Sequence, residues 1–145
     1  MEIARMILQS SNENVPALPL VLLVDDSSEN RKLLRILLSK QPIVLHEASN
    51  GREALEMFEK HAYAMLLMDI QMPIMDGYTA TRQIRRIEES TGRARTPVVA
   101  LTAYASENDF QTSMDAGCDD HIAKPFKKKT LIDCLARYLN WPQHG

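Results

Sequence analysis

Several short apolar segments of this 145-residue chain are each followed by a side chain that can take part in chemistry. Asp25 and Asp26 follow the first such segment, Asp69 the third, Thr102 the fourth and Lys124 the fifth. A single aspartate in such a place commonly caps a helix or turns a loop. In an open parallel sheet, however, the carboxyl ends of the strands meet at one edge, and sites form there. The sequence therefore predicts that three carboxylates, a hydroxyl and an ammonium group converge.

The predicted cluster of carboxylates needs a compensating positive charge. Two unit charges about 4 Å apart repel each other by about 4 kcal/mol at an effective dielectric constant near 20. Lys124 offsets only one of the three negative charges of Asp25, Asp26 and Asp69. Ligands that are all oxygen, with space for water, are typical of Mg²⁺ or Mn²⁺. We therefore expect a Mg²⁺ (or Mn²⁺) site at these aspartates.

A site of this composition is suited to moving a phosphoryl group onto a carboxylate. The transition state spreads negative charge over the equatorial oxygens, so the protein must place positive or hydrogen-bonding groups around them. The Thr102 hydroxyl, the backbone N–H of Ala103 and the Lys124 ammonium can supply such groups. Carboxylates do form aspartyl phosphates, and Asp69 ends the central strand of the predicted sheet. Asp69 is therefore the predicted nucleophile and phosphoacceptor.

The elements that must position these residues follow from the apolar patterns after residue 20. Short apolar runs alternate with longer segments of helical period, which is typical of βα units around a parallel sheet. Nearly continuous apolar runs predict central strands at Leu20–Val24, Met65–Met68 and Val98–Leu101. Polar residues within Ile43–Ala48 and His121–Ala123 favour the two sheet edges for these strands. The predicted fold is α/β, a flavodoxin-like (βα)5 doubly wound parallel sheet with strand order 2-1-3-4-5.

The helices between these strands have recognisable starts and stops. Asn50 with Glu53 forms a capping-box pattern, and Ser106 with Asp109 forms a looser one. Gly117 is placed for a left-handed C-terminal stop. The first helix carries an apolar stripe that is predicted to face the core. This stripe consists of Leu33, Leu34, Leu37 and Leu38.

Composition and length indicate one globular domain without a surface for nucleic acid. The chain is 45% apolar and 25% charged, and its 17 basic and 19 acidic residues are mixed along the sequence. We expect a tail or linker at 1–19, one domain at 20–141 and a short C-terminal tail at 142–145. The first of these fits either a flexible leader or the end of a helix from a preceding domain.

Cysteine usage and hydropathy bear on the expected location. Cys118 and Cys134 lack the spacing of metal ligands, which favours a reduced, cytoplasmic setting. No apolar run approaches the ~20 residues that a membrane-spanning helix needs, and the N-terminus lacks the layout of a signal peptide. We therefore expect a cytoplasmic domain without membrane insertion, either by itself or as the cytoplasmic part of a membrane-bound parent kinase.

Four segments carry a resemblance to a known family. They are Val24-Asp25-Asp26, Asp69-Ile70-Gln71-Met72-Pro73-Ile74-Met75-Asp76-Gly77, Leu101-Thr102-Ala103 and Ala123-Lys124-Pro125-Phe126. In order and spacing they closely resemble the response-regulator receiver domains of two-component signalling, over about residues 20–140. The sequence around Asn30-Arg31 and Asp69-Ile70-Gln71-Met72-Pro73 looks most similar to that of receivers of hybrid sensor histidine kinases.

The resemblance implies a metal site and a switch. The family's metal ligands match Asp25, Asp26, Asp69 and the backbone carbonyl of Gln71. The family's threonine, which matches Thr102, moves toward the phosphoryl group and draws an aromatic residue with it. His121 stands at the position of that aromatic residue, where Tyr or Phe is more usual. A switch role for His121 and an ordinary place in an edge strand are therefore both open.

The resemblance also implies residues that affect the rate of dephosphorylation and residues that contact a partner protein. The positions of Gln71 and Tyr104 influence how fast water reaches the acyl phosphate, although Tyr104 fits a simple loop position equally well. The phosphodonor's helices are expected to dock beside the acidic pocket, at the start of the first helix. The matching residues there are Ser27, Asn30, Arg31 and Leu34, of which Leu34 fits a core position equally well. The implied partner is a histidine kinase or a histidine phosphotransfer domain.

The function implied by the resemblance is transfer of a phosphoryl group from a phosphohistidine to Asp69. This transfer would then change the face formed by the fourth helix, the fifth strand and the fifth helix. Such a domain catalyses its own phosphorylation and dephosphorylation without external turnover. The expected parent is a hybrid sensor histidine kinase; the alternatives are a free-standing single-domain regulator and a non-phosphorylated pseudo-receiver. The oligomeric state stays open.

Two other protein classes fit the sequence less well. A haloacid-dehalogenase-like phosphatase also has an aspartyl nucleophile, but it expects a second acid two residues later, where Gln71 stands. A flavodoxin-type FMN protein needs a phosphate loop after the first strand, where Asp25 and Asp26 would repel phosphate. Both classes are therefore disfavoured.

Overall fold

The computed structural model describes residues 17–103 and 106–140, in which strands and helices alternate. The strands are β1 (Leu20–Val24), β2 (Val44–Ala48), β3 (Met65–Asp69), β4 (Val98–Thr102) and β5 (Asp120–Ala123). The helices are α1 (Ser28–Leu37), α2 (Gly51–Lys60), α3 (Gly77–Thr91), α4 (Glu107–Ala116) and α5 (Lys128–Leu139). Most of the expected tail at 1–19, and all of the one at 142–145, lies outside the described residues.

The five strands form one parallel sheet in the order β2-β1-β3-β4-β5, which confirms the predicted topology. Val24 in β1 lies beside Ala48 of β2 and Met68 of β3. Asp69 in β3 lies beside Leu101 of β4. This register aligns the carboxyl ends of the strands, so the residues that follow them share one edge.

The sheet separates two apolar cores. Strands β3 and β4 are buried along their whole length, because helices cover both faces of the sheet. One core includes Leu22, Phe58 and Ile84, and the other includes Leu23 and Leu131. The edge strands β2 and β5 keep partly exposed residues, as their polar composition predicted.

The apolar stripe of α1 lies only partly in the core. Leu34 is fully buried and Leu38 is 3% exposed, whereas Leu33 is 43% exposed. The prediction that Leu33 is a core residue was therefore wrong, and of the two positions left open for Leu34 the structure shows the core. Adjacent residues of a helix point about 100° apart, so Leu33 is turned away from the core that Leu34 enters.

The helices have the ends that the sequence predicted. The Asn50 side chain accepts a hydrogen bond from the Glu53 backbone N–H, and Ser106 accepts one from Asp109. Gly117 ends α4 with a φ of 108°, a left-handed conformation that glycine adopts readily. Within the described ranges, none of the helices combines the length and the apolar character that crossing a membrane requires.

Candidate metal and active site

The structure brings three predicted site carboxylates together beyond the carboxyl ends of β1 and β3. One oxygen of each of Asp25, Asp26 and Asp69 lies within 4.8 Å of the other two. Asp25 is fully buried and Asp69 is 2% exposed, whereas Asp26 is exposed. The cluster therefore has two desolvated carboxylates at its base and a third that faces solvent.

The first turn of α1 positions Asp25. The backbone N–H of Ser27 donates to Asp25 Oδ1 at 2.9 Å, and Asn30 Nδ2 donates to Oδ2 at 3.3 Å. The backbone of Asp25 is held as well, because its N–H donates to the Ala48 carbonyl and its carbonyl accepts from Arg31 Nη1. The backbone N–H of Asp25 is thus bonded to β2, and its carbonyl is bonded to α1.

Lys124 brings a positive charge to the two buried carboxylates. Its Nζ lies 3.3 Å from Asp69 Oδ1 and 3.9 Å from Asp25 Oδ2. The backbone N–H of Lys124 donates to the Thr102 carbonyl at 2.7 Å, and the peptide bond to Pro125 is cis. Within residues 17–103 and 106–140, Lys124 is the one cation that forms ion pairs with the cluster.

Burial and a neighbouring negative charge change the acidity of Asp69. Desolvation first, and then repulsion from Asp25, raise the pKa of Asp69 from 3.8 to about 6. The backbone N–H of Gln71, which donates to Asp69 Oδ1 at 3.2 Å, and the Lys124 ammonium oppose this rise. The ionised form of Asp69 is therefore less stable than that of an ordinary aspartate.

The donor atoms of the cluster fit a hard divalent cation. Three carboxylates face one ammonium group in the described part of the chain, so the cluster carries net negative charge. Mg²⁺ binds to one or two carboxylates and keeps several water molecules, and the exposed side of Asp26 leaves space for water. Asp25, Asp26 and Asp69 are therefore able to hold Mg²⁺.

A close backbone contact at Gly77 supports the position of Asp69, and sequence reasoning missed it. A Cβ atom at Gly77 would lie 2.3 Å from the Asp69 carbonyl oxygen and 2.7 Å from the Ile70 Cα. The Gly77 N–H donates to the Ile70 carbonyl at 3.3 Å. The glycine within the motif was a visible signal, but its closeness to β3 needed the structure.

The remaining predicted phosphoryl-binding residues lie at the same edge. Thr102 ends β4 and is 2% exposed, and the exposed Ala103 follows it. Gln71 is exposed two residues after Asp69. Tyr104, which the resemblance connects with dephosphorylation, lies outside the described residues.

His121 lies in β5 against α4. Its ring centroid is 4.8 Å from that of Phe110 in α4, at an interplanar angle of 59°. Its Nδ1 atom is buried and has no hydrogen-bond partner within the described ranges. A buried polar atom without a partner is costly.

A cleft of about 400 Å³ lies next to the site, between α1 and the segment after β5. It is lined by Asn30, Leu33, Lys124, Pro125 and Phe126. Leu33, rather than the predicted Leu34, is therefore the α1 leucine exposed beside the site. Of the other residues predicted to meet a partner, Ser27, Asn30 and Arg31 are all partly exposed.

Comparison with known proteins places most of the chain in one family. Residues 21–136 match the family described as the response regulator receiver domain. "Probable histidine kinase 2" of Oryza sativa subsp. indica is 37% identical over 129 residues, covering 79% of this chain and 12% of that protein. The chain thus spans only a small part of this curated relative.

Two solved structures illustrate the likeness in fold. One is the receiver domain of a sensor histidine kinase from Pseudomonas aeruginosa PAO1, with a magnesium ion coordinated in its active site cleft. It has a TM-score of 0.75 and 34% identity, covering 85% of this chain and 98% of that one. The other is a co-crystal of the Saccharomyces cerevisiae histidine phosphotransfer protein Ypd1 with the receiver domain of Ssk1. Here the TM-score is 0.80 and the identity 30%, covering 86% and 91% of the chains.

Proposed function

Since the protein belongs to the response regulator receiver family of two-component systems, we propose that it accepts a phosphoryl group from phosphohistidine on Asp69. The observation that carries this proposal is the cluster of Asp25, Asp26 and Asp69 with Lys124 beside it. A buried carboxylate surrounded by groups that can bind phosphoryl oxygens is the arrangement that an aspartyl phosphate requires.

The proposed transfer is an in-line displacement at phosphorus. A carboxylate oxygen of Asp69 attacks, an O–P bond forms, and the P–N bond to the donor imidazole breaks with its electron pair on nitrogen. The Lys124 ammonium, the Thr102 hydroxyl and the Ala103 backbone N–H bind the phosphoryl oxygens as their charge develops. Since Asp69 is 2% exposed, few water molecules compete for the reacting oxygen.

The proposed reaction depends on Mg²⁺. Asp25, Asp26, Asp69 and the backbone carbonyl of Gln71 would hold the ion. When bound, Mg²⁺ supplies positive charge that stabilises the phosphoryl oxygens. Support comes from the net negative charge of the cluster, and from the related Pseudomonas receiver with magnesium in its active site cleft. We also propose that Gln71, which is exposed two residues after Asp69, affects the approach of water to the acyl phosphate afterwards.

We further propose that phosphorylation changes the face formed by α4, β5 and α5. Thr102 would move toward the phosphoryl group and the His121 ring would follow, giving its buried Nδ1 atom a new environment. The ring resonances of His121 in an NMR spectrum should then shift on phosphorylation. Unchanged resonances would remove His121 from the switch.

The proposed partner is a histidine kinase or a histidine phosphotransfer domain, with this chain as the receiver of a hybrid kinase. The cleft lined by Leu33 and Phe126 opens beside the site, so an apolar helix face could rest there while a phosphohistidine reaches Asp69. The co-crystal of Ypd1 with a similar receiver domain supports this class of partner. The relative from Oryza sativa supports a kinase parent.

The test of the phosphoacceptor is intact mass after incubation with acetyl phosphate and Mg²⁺. The wild type should gain one phosphoryl group, and Asp69→Asn should gain none. Asp115→Asn, the same change at an exposed aspartate of α4, is the matched control and should still be phosphorylated. An adduct on Asp69→Asn would remove Asp69 from the role, and no adduct on the wild type would favour a pseudo-receiver.

Docking at the cleft is tested by comparing the rate of phosphoryl transfer from a protein donor with the rate from acetyl phosphate. Leu33→Asp should slow transfer from a phosphorylated histidine phosphotransfer domain, but leave transfer from acetyl phosphate unchanged. Ile36→Asp is the matched control, because Ile36 is 59% exposed on α1 and does not line the cleft. Equal rates for the two variants with the protein donor would argue against docking at this cleft.

A further inference from the structure

We infer that Arg31 is a positioning residue for the metal site, because it fixes the peptide group that joins the first two carboxylates. Arg31 Nη1 donates to the Asp25 backbone carbonyl at 2.7 Å, and Arg31 Nε lies 3.4 Å from Glu47 Oε1. The inference rests on the proposed function, since the site concerned is its Mg²⁺ site. Arg31 thus positions a backbone group of the metal site in addition to its predicted place on a partner surface.

The peptide between Asp25 and Asp26 depends on this contact. The peptide before it, between Val24 and Asp25, is held separately, because the Asp25 N–H donates to the Ala48 carbonyl of β2 at 3.1 Å. In the peptide that joins the two aspartates, the Asp25 carbonyl accepts from Arg31. Asp25 is fully buried and is also held by packing, whereas Asp26 is exposed. The direction of the Asp26 carboxylate therefore depends on how well the preceding peptide group is fixed.

Glu47 of β2 holds the Arg31 guanidinium in place. The Arg31 side chain is 19% exposed and the Glu47 side chain is 23% exposed, so the pair is sheltered from water. Glu47 also accepts two hydrogen bonds of 2.8 Å from Arg35, one turn further along α1. Hydrogen bonding from Arg35 lowers the pKa of Glu47, which keeps it a carboxylate. Arg31 and Arg35 therefore share one anchor, but only Arg31 is bonded to Asp25.

Two effects of removing Arg31 have opposite signs on Mg²⁺ affinity. Loss of a positive charge near the cluster would strengthen cation binding by electrostatics alone. Loss of a positioning contact would weaken it, because residues that orient metal ligands typically account for about 10–100-fold in metal affinity. The sign of the change therefore distinguishes the positioning role from a simple effect of charge.

The experiment compares Arg31→Gln with Arg35→Gln in the full chain, by calorimetric titration with MgCl2. Both variants lose one positive charge and one partner of Glu47 on the same face of α1. We expect the Kd for Mg²⁺ to rise about 10-fold in Arg31→Gln and to stay near the wild-type value in Arg35→Gln. Urea unfolding without Mg²⁺ checks that both variants are folded.

A third variant, Arg31→Lys, keeps the charge and covers the case in which Arg31→Gln does not fold. Its Kd should lie between those of the wild type and Arg31→Gln, because an ammonium lacks the planar fork that reaches Asp25 and Glu47 together. Unchanged or tighter binding in the Arg31 variants would overturn the positioning role, as would an equal loss in Arg35→Gln. A wild type that binds no Mg²⁺ would overturn the proposed function and this inference with it.

Discussion

Two groups of charged side chains lie at opposite ends of the same sheet, and their charges are balanced differently. At the carboxyl end, Asp25, Asp26 and Asp69 face the ammonium group of Lys124, the one cation paired with them among the described residues. At the amino end, two carboxylates face two guanidinium groups. These four residues, which we call the amino-end network, are Glu88, Asp119, Arg85 and Arg95.

The amino-end network is satisfied by the chain itself. Arg85 lies 2.8 Å from both Glu88 and Asp119, and it donates to the Gly117 carbonyl. Glu88 accepts from the Thr96 backbone N–H at 2.6 Å, just before β4 begins. The network thus ties α3 to the segments that lead into β4 and β5.

The difference in charge balance separates a structural cluster from the cluster that we propose to be functional. A partly buried group of charges that is neutral and hydrogen-bonded needs nothing from outside the protein. A cluster with three negative charges and one positive charge lowers stability until a cation binds. The carboxyl end therefore lowers stability at the place where we propose that a cation and a phosphoryl group bind, whereas the amino end contributes stability.

Removing Arg85 should have the largest effect on stability. In Arg85→Met, Glu88 and Asp119 lose their shared cation while they stay largely buried, with side chains 7% and 22% exposed. Loss of one partner from such a pair lowers the free energy of unfolding by about 3–5 kcal/mol. Urea denaturation measures this change. The control Arg86→Met removes an exposed charge from the same helix and should change stability by less than about 0.5 kcal/mol. Similar values for the two variants would contradict the structural role of the amino-end network.

Neutralising Asp69 should raise the free energy of unfolding, whereas removing Arg85 should lower it. Without metal, Asp69→Asn removes a desolvated negative charge beside Asp25, so the free energy of unfolding at neutral pH should rise by about 1–3 kcal/mol. Urea denaturation in the presence of a chelator measures the gain. A loss of stability in Asp69→Asn would show that the cluster is not under electrostatic strain.

The gain in free energy of unfolding from Asp69→Asn should depend on pH. The pKa of Asp69 is about 6 in the folded protein, and the unfolded chain has the ordinary value of about 3.9. The folded state therefore binds the proton more tightly, and the ionised carboxylate lowers stability only at higher pH. The difference between variant and wild type should be largest above pH 6 and shrink as the pH falls toward about 4. A difference that does not vary over this range would contradict the raised pKa.

An exposed ion pair at the amino end should contribute less to stability than the buried pairs do. Arg137 Nη1 lies 2.8 Å from Asp120 Oδ2, the same distance as in the Arg85 pairs, but the Arg137 side chain is 64% exposed. Solvent screening reduces such a pair to less than about 1 kcal/mol. Arg137→Gln should therefore change the urea midpoint much less than Arg85→Met does. A comparable change would mean that distance, rather than burial, decides the strength of these pairs.

The fold and the acidic cluster were predictable because their signals are local. Apolar runs of strand length, separated by helical segments, identify a parallel sheet, and its carboxyl edge collects the residues that follow the strands. Asp25, Asp69 and Lys124 each follow such a run directly. Their convergence then depends on the topology alone, not on details of side-chain packing.

Other features were not predictable because they depend on distant parts of the chain. Arg85 and Asp119 are 34 residues apart, and no local pattern relates them. Whether Leu33 or Leu34 faces the core depends on the rotation of α1 against the sheet, which two adjacent leucines do not specify. The contact between Arg31 and the Asp25 carbonyl requires a side-chain path that only the folded structure defines.

The close contact between Gly77 and β3 limits how this chain can diverge in sequence. Alanine is one base change away from glycine, yet its methyl group would collide with the carbonyl of Asp69. Such a change would disturb the residue that we propose to be phosphorylated, even though position 77 itself performs no chemistry. Random mutagenesis with selection for signalling should therefore recover almost no replacement at Gly77, while the exposed Pro73 in the same loop should accept several.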